Sequence, residues 1–408
     1  MRILHIIDTL SPAAGGPPEA VRQLVKAYAL EIPGSEVEIV CLDNPHAPFL
    51  AGISCRIHAL NQTSLGRFAF SPRLWRWLHQ NAARFDAIVM NGIWSFPNIA
   101  VRFATRHANK RYAVFVHGAL DPWFNRQYPL KHLKKLLYWP MQYNVLRNAA
   151  AVLFTAGMER DLARTSFRPN DWNSVVVPYG ITNFGENADE AQRQIDQFLR
   201  RFPRLRGRRF LLFLARIHEK KGCDLLLDAF GRFAAELPDV DLVIAGPDSV
   251  GLQARLEHQA RGLGLSGRVH WPGLIRGDLK WGALRACEAF VLPSHQENFG
   301  ISVVEALSAG RPVLISNQVN IWPEIEADGV GLVDDDTPQG TERLLRRWFS
   351  LAPEEREAMA ARARPSFLAR YTMNRTAMVI KELFVPQPVG DQLGQEACEP
   401  VRALNGQL

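Results

Sequence analysis

Two glutamates at a fixed interval carry the strongest chemical signal in this chain. Glu297 lies in the segment PSHQENFG (Pro293 to Gly300), and Glu305 follows eight residues later in the otherwise apolar run Ile301 to Leu307. A helix rises about 1.5 Å per residue, so eight residues place two carboxyls about 12 Å apart. They cannot then share one proton or one metal ion, but they can grip two ends of a long polar ligand. A glutamate at an apolar helix position needs a partner, and a salt bridge to a nearby arginine is the plain alternative. Arg216 and Lys221 lie in ARIHEKKG, a loop between an expected strand and an expected helix. Two cations beside free helix N–H groups suit a phosphate or diphosphate. A solvated basic turn is the competing explanation.

Weaker signals sit in the first half. Gly15-Gly16 follows the first expected strand, where glycine permits close backbone approach to a ligand. His117-Gly118 follows another strand, a place where a lone histidine is more often structural. Asn91, Trp94, Asp121 and Trp123 also stand near strand ends, where they can bind a second substrate or simply form turns. Asp239-x-Asp241 and Asp334-Asp335-Asp336 satisfy a DxD metal-binding pattern, but both read as solvated acids. No metal is expected.

Alternating strands and helices must position these groups. Strands are expected at Arg2–Asp8, Val37–Leu42, Phe85–Met90, Tyr112–His117 and Ala151–Thr155. The alternation restarts with strands at Phe210–Ala215, Asp241–Ala245, Val269–Trp271, Ala289–Pro293 and Pro312–Ser316. This is an α/β pattern of two doubly wound, Rossmann-like domains facing across a cleft. The expected division is 1–183, an arginine-rich linker at 184–209, a second domain at 210–365, a helix at 366–385, and a mobile tail at 386–408. A length of 408 residues with 47% hydrophobic and 22% charged residues fits two globular domains and excludes wholesale disorder. Five scattered cysteines lack metal spacing and read as reduced thiols in a cytosolic protein. The N-terminus lacks a signal-peptide pattern, and no run approaches the roughly 18 apolar residues of a membrane span.

The charge is uneven. Residues 1–183 hold 20 Lys+Arg against 11 Asp+Glu, a net +9, whereas the rest of the chain carries a net −2. Between Arg126 and Arg147 five basic residues and no acid interleave with aromatic and leucine residues. Such a stretch suits an anionic membrane surface or a solvated helix face. Nucleic acid is not expected, because no recognition motif accompanies it.

In PSHQENFGISVVEALSAGRPVL, with Arg216, Lys221 and the strand-turn VIAGP ahead of it, the second half resembles the retaining GT-B glycosyltransferases of family 4, the group 1 transferases. Glu297-x7-Glu305 matches their EX7E motif. The resemblance implies that Arg216 and Lys221 hold the donor diphosphate, Glu297 the donor sugar and Glu305 the ribose. It also implies that Asn298, Phe299 and Gly300 supply backbone amides and that Leu274 and Ile275 flank the base. Gly15 and Gly16 match the glycine loop of the family, and His117 its HG motif at the reaction centre. The resemblance also implies that the helix at 366–385 crosses back to domain one. The expected function is transfer of a hexose from a nucleoside diphosphate sugar, without a metal cofactor, to a saccharide or lipid-linked acceptor in bacterial polysaccharide synthesis. The expected location is the cytoplasm, with contact to the inner membrane face. An epimerase or hydrolase of similar fold, or a non-catalytic sugar-nucleotide binder, are the rival functions.

Overall fold

Runs such as ILHII, AIVM, FLLFL and FVL are buried on both faces, as strands of a parallel sheet covered by helices must be. The structure, a computed structural model, describes residues 1–61, 66–182 and 187–385. The first domain is built from β1 (Arg2–Ile7), α1 (Gly16–Glu31), β2 (Glu36–Cys41), β3 (Arg56–Ala59), α2 (Pro72–Asn81), β4 (Ala87–Asn91), α3 (Phe96–His107), β5 (Ala113–Phe115), α4 (Pro122–Gln127), α5 (Pro129–Arg147), β6 (Ala151–Phe154), α6 (Gly157–Ser166) and β7 (Ser174–Val176). The second holds α7 (Ala188–Arg201), β8 (Arg209–Leu214), α8 (Cys223–Phe233), β9 (Val240–Ala245), α9 (Gln253–Gly262), β10 (Val269–Gly273), α10 (Gly277–Ala286), β11 (Ala289–Leu292), α11 (Ile301–Ser308), β12 (Val313–Ser316), α12 (Trp322–Asp328), β13 (Gly331–Asp334) and α13 (Pro338–Ser350). Two further helices follow, α14 (Pro353–Arg370) and α15 (Met373–Phe384).

All strands run parallel, in the orders β3-β2-β1-β4-β5-β6-β7 and β10-β9-β8-β11-β12-β13. Each sheet reverses its winding once, between β1 and β4 and between β8 and β11. The carboxyl ends flanking such a reversal form the crevice where open α/β sheets bind ligands. The loops after β1, β8 and β11 carry Gly15-Gly16, Arg216 and Glu297, and Asn91 is the last residue of β4, so the chemical signals fall on the two switch points.

Strands β3, β7 and β13 add to the ten expected from sequence. All three are sheet edges of only three or four residues. Two of them, β3 and β7, are half-buried along most of their length, so their composition lacks an apolar run. The tail expected from residue 386 lies outside the described residues. Helix α7 packs against α10, where Arg193 and Gln194 bond Asp278 and the Gln194 carbonyl abuts Gly282. Helix α15 lies on α1 of the first domain. Asn374 Nδ2 donates to Glu31 Oε1 at 2.7 Å, and the Ile181 and Met373 N–H groups bond Tyr371 and Ile181 carbonyls at 2.9 and 3.1 Å. Among the described residues, no helix is long and apolar enough to cross a membrane, and Cys41, Cys55, Cys223 and Cys287 are unpaired.

One expectation is overturned here. Asp241 is not a solvated acid: it is 1% exposed. Its Oδ1 accepts from Arg208 at 2.6 Å and Arg268 at 3.0 Å, and its Oδ2 bonds His270 Nε2 at 2.8 Å. Burial alone would raise its pKa, yet the Arg208 and His270 bonds outweigh burial and hold it low. Asp334 is likewise part of a pair, with Arg343 at 2.5 Å, and closes β13. Arg208, at the end of the polar stretch before β8, reaches inward because the second residue of β9 is an acid at the amino end of the sheet.

Candidate active site

The cleft between the domains holds a cavity of about 430 Å3. It brings together Gly15, Gly16 and His117 from the first domain with Arg216, Lys221, Leu274, Ile275, Glu297, Asn298, Phe299, Gly300 and Glu305 from the second. Glu305 stands in the middle of α11, and the other groups arrive on loops or helix ends set by the sheet. Gly15, at φ 93°, caps α1, and a Cβ on Gly16 would meet Ile301 Cδ1 at 3.2 Å across the cleft. Gly222, at φ 68°, turns the chain into α8 against the Pro293 carbonyl, leaving no room for a side chain there. That contact seats the Arg216–Lys221 loop beside Glu297. Gly300, at φ 79°, caps α11, whose first residues Ile301 and Ser302 also line the cavity. The positive end of α11 therefore faces the ligand space.

Both glutamates are paired within the cavity. Lys221 Nζ bonds Glu297 Oε2, and Lys280 Nζ donates to Glu305 Oε1 at 2.7 Å. Lys280 escapes sequence reasoning because it sits on α10, 25 residues from Glu305; the only signal was that an apolar-helix glutamate needs a partner.

His117 stands in the left-handed region at φ 48°, uncommon for a residue with a side chain. Its ring stacks on Phe115 at 5.2 Å and meets Tyr179 edge-on at 5.6 Å. Burial first, and then the nearby His5, lower its pKa to about 3. It is thus a neutral imidazole at any working pH. A chain of bonds assigns its tautomer. Asn91 Nδ2 donates to the Ile6 carbonyl at 3.2 Å and faces His5 Nδ1 at 3.2 Å, so Asn91 Oδ1 is the acceptor for His117 Nε2 at 3.4 Å. The Nδ1 of His117 then keeps its lone pair, on a residue that lines the cavity.

The segment Gln296-Glu297-Asn298 alternates like a strand, and the alternation ties the domains together. Gln296 Nε2 donates to Asp121 Oδ2 at 2.6 Å, and Asn298 Nδ2 donates to Thr155 Oγ1 at 3.1 Å. Between them Glu297 turns back to Lys221. Thr155 is held by the buried Glu159, whose carboxylate accepts from Thr155 N at 2.6 Å, Thr155 Oγ1 at 2.7 Å and Gly118 N at 2.6 Å. Burial raises the Glu159 pKa despite these bonds. One buried acid thereby fixes both the histidine loop and the threonine that meets the opposite domain. Neither Thr155 nor Glu159 stood out in the sequence, because the Asn298–Thr155 contact spans 143 residues, the Glu159–Gly118 contact 41, and the Glu159–Thr155 bonds lie at the start of α6.

The four residues expected at an acceptor site separate into two groups. Asp121 caps α4, its Oδ1 accepting from Trp123 N at 2.8 Å while Oδ2 takes Gln296. Trp123 and Phe124 lie under the Lys220 ammonium at 5.2 and 5.1 Å. Burial, then neighbouring Lys221, lower the Lys220 pKa to about 8. Asp121 and Trp123 are thus contacts between domains. Asn91 instead ends β4 beside His117, and Trp94 follows in the next loop, on a separate pocket against α5. Among the described residues no cluster of three or more His, Cys, Asp or Glu gathers as a metal would need.

Two predictions arise from these contacts. A Cβ on Gly118, at φ 74°, would lie 2.8 Å from Asn298 Cγ. Gly118→Ala is therefore expected to push the domains apart and lower turnover by about tenfold or more, with a stability loss of about 1 kcal/mol. Initial rates beside a thermal melt check this, and wild-type turnover would contradict it. Asp8, at the end of β1, accepts from Ser95 Oγ at 3.1 Å, but burial dominates and raises its pKa from 3.8 to about 6. An acid with a raised folded pKa is favourable below about 4, and its contribution fades as pH rises through about 6. Asp8→Asn should then stabilise the chain at pH 7.5, by at most about 3 kcal/mol, and change little at pH 4. Melting curves at the two pH values decide; equal shifts at both would refute the assignment.

Known proteins place this geometry. Residues 15–180 match the model described as glycosyl transferase 4-like domain, and residues 194–365 match glycosyl transferases group 1. The chain is 28% identical over 383 residues to D-rhamnosyltransferase WbpZ of Pseudomonas aeruginosa, covering 91% of this chain and 92% of that one. It is 27% identical over 299 residues to the alpha-D-kanosaminyltransferase of Streptomyces kanamyceticus, covering 72% and 71%. Its fold superposes on HepE of Anabaena in complex with UDP with a TM-score of 0.75 at 18% identity, covering 94% and 99%. Together the two domain matches span both halves of the cleft, and the chain belongs to the group 1 glycosyltransferases, with the GT-B fold.

Proposed function

We propose that this glycosyltransferase moves a hexose from a nucleoside diphosphate sugar to a saccharide or lipid-linked saccharide acceptor, with retention of anomeric configuration and without a metal. The observation that carries the reading is the gathering of three cations (Arg216, Lys221 and Lys280), two glutamates, a histidine and a helix N-terminus around one interdomain cavity. Leu274 and Ile275 flank the base, and Glu305, oriented by Lys280, holds the ribose. Arg216, Lys221 and the start of α11 take the diphosphate, whose charge grows as the sugar leaves. Fixed cations and amide dipoles stabilise such a leaving group without a metal ion. As phosphate draws Lys221 away, Glu297 is released to accept the donor-sugar hydroxyls, beside the amides of Asn298, Phe299 and Gly300. His117, uncharged, offers Nδ1 as an acceptor at the reaction centre without repelling positive charge developing on the sugar. Gly15 and Gly16 let the first domain close on the phosphates. The proposed setting is bacterial polysaccharide synthesis on the cytoplasmic side of the membrane; a bacterial rhamnosyltransferase is among the relatives.

Retention is tested by proton NMR of the product formed from an α-linked donor. An α-linked product supports the reading; a β-linked product overturns it.

A further inference from the structure

Outside the cleft, one pocket of the first domain has the makings of a second binding site. It lies between α3 and α5, holds about 360 Å3, and is walled by Phe68, Trp94, Ile99, Tyr138 and Met141. Lys131, Lys134 and Lys135 of α5 form its rim. Among the described residues no carboxylate pairs with any of the three. Lys131 and Lys135 rest instead on aromatic faces, at 4.2 Å from Tyr128 and 5.0 Å from Trp94. Burial, with Lys131 nearby, holds the Lys135 pKa below its usual value. Cations gathered this closely without an acid call for an anion from outside the chain.

Two further observations indicate a ligand. Gln142 lines the pocket and is nine-tenths buried; its Oε1 accepts from Trp94 N at 3.0 Å, while its Nε2 has no partner. Trp94 itself is held at φ 74°, a strained conformation for a bulky residue. Its indole N–H is pinned to the Ala119 carbonyl at 3.2 Å, two residues from His117. The strained tryptophan thus joins this pocket to the loop that lines the reaction centre.

The outer face of α5 settles the kind of anion. Leu130, Leu133 and Leu137 are 84%, 61% and 80% exposed beside the lysines. A soluble sugar phosphate needs no such surface, whereas an aliphatic chain does. Building on the transfer reading above, we propose that this pocket holds the lipid-phosphate portion of the acceptor. The phosphate lies over Lys131, Lys134 and Lys135, the aliphatic chain lies along the aromatic wall and the α5 leucines, and the attached saccharide extends past Trp94 towards His117.

A photoreactive farnesyl diphosphate analogue, cross-linked to the full chain without donor and mapped by peptide mass spectrometry, tests this. Label is expected on α3 and α5. Farnesyl diphosphate should compete for it at least about tenfold better than inorganic diphosphate or farnesol. Lys131→Glu/Lys134→Glu should weaken labelling by about tenfold or more, and Lys131→Arg/Lys134→Arg should retain it. Labelling confined to the cleft, equal competition by inorganic diphosphate, equal competition by farnesol, or indifference to charge reversal would each overturn the proposal. So would loss of binding to phosphatidylglycerol vesicles in parallel with loss of labelling at identical ionic strength, which would mean surface attraction and no defined site. Because no donor is present, failure here leaves sugar transfer standing. Failure of transfer would show instead as no nucleoside diphosphate released from any donor.

Discussion

Glu297→Ala is expected to lower sugar transfer by about 100- to 1,000-fold, with the melting temperature moving by only a few degrees. On the proposed function Glu297 engages the substrate in a partly water-excluded site, where a lost polar contact costs about 3 to 4 kcal/mol of transition-state stabilisation. The stability change is small because Glu297 borders the cavity, so Lys221, left without its carboxylate, can be hydrated. Glu297→Gln separates charge from shape: the amide keeps hydrogen-bonding capacity but not the negative charge that attracts Lys221. Rates of the two variants under saturating donor, with melting curves alongside, check the claim. Turnover within threefold of wild type in the alanine variant would remove Glu297 from the site.

Asp241 is expected to give the opposite pattern, a large loss of stability with the chemistry of the site untouched. It is almost fully buried between Arg208, Arg268 and His270. Removing one partner of a buried ionic cluster leaves the others uncompensated, which costs about 3 to 5 kcal/mol. Arg208 and Arg268 are partly exposed and can recover some hydration, so Asp241→Leu should fall near the lower end. Chemical denaturation measures it directly. Protein that remains folded should retain its donor affinity, because β9 starts at the rim of the sheet opposite the cleft. A change below about 1 kcal/mol would show that the cluster contributes little.

These two residues mark how far the sequence could be read. The central strands were legible because burial on both faces enforces runs of Val, Ile, Leu and Phe, as in β1, β8 and β11. Edge strands β3, β7 and β13 were not, because a short edge needs no such run. Glu297, Arg216 and Lys221 were legible because local spacing places them on loops after strands, where this sheet topology binds ligands, and Glu305 because an acid interrupts the apolar run of α11. What local spacing cannot encode is pairing across space. Lys280 with Glu305, Asn298 with Thr155 and Gln296 with Asp121 depend on how α10 and the two domains pack. The same holds for Asp241, where a DxD pattern at a strand start looked solvated until Arg208 and Arg268 were seen to close over it. Asp121 and Trp123 add a further case: near a strand end they read as candidates for a ligand, and the contacts they make to Gln296 and Lys220 of the facing domain have no local signal.

The central claim is that the interdomain cavity binds and cleaves a nucleoside diphosphate sugar through Arg216, Lys221, Glu297 and Glu305. Its most direct test is release of nucleoside diphosphate from a panel of UDP-, GDP-, ADP- and dTDP-sugars by the wild-type chain and by Lys221→Ala. The account predicts release from one donor class and a fall of at least about 100-fold in the variant. Release at an unchanged rate in Lys221→Ala, or no release from any member of the panel in the presence of a lipid-linked saccharide extract, would contradict it.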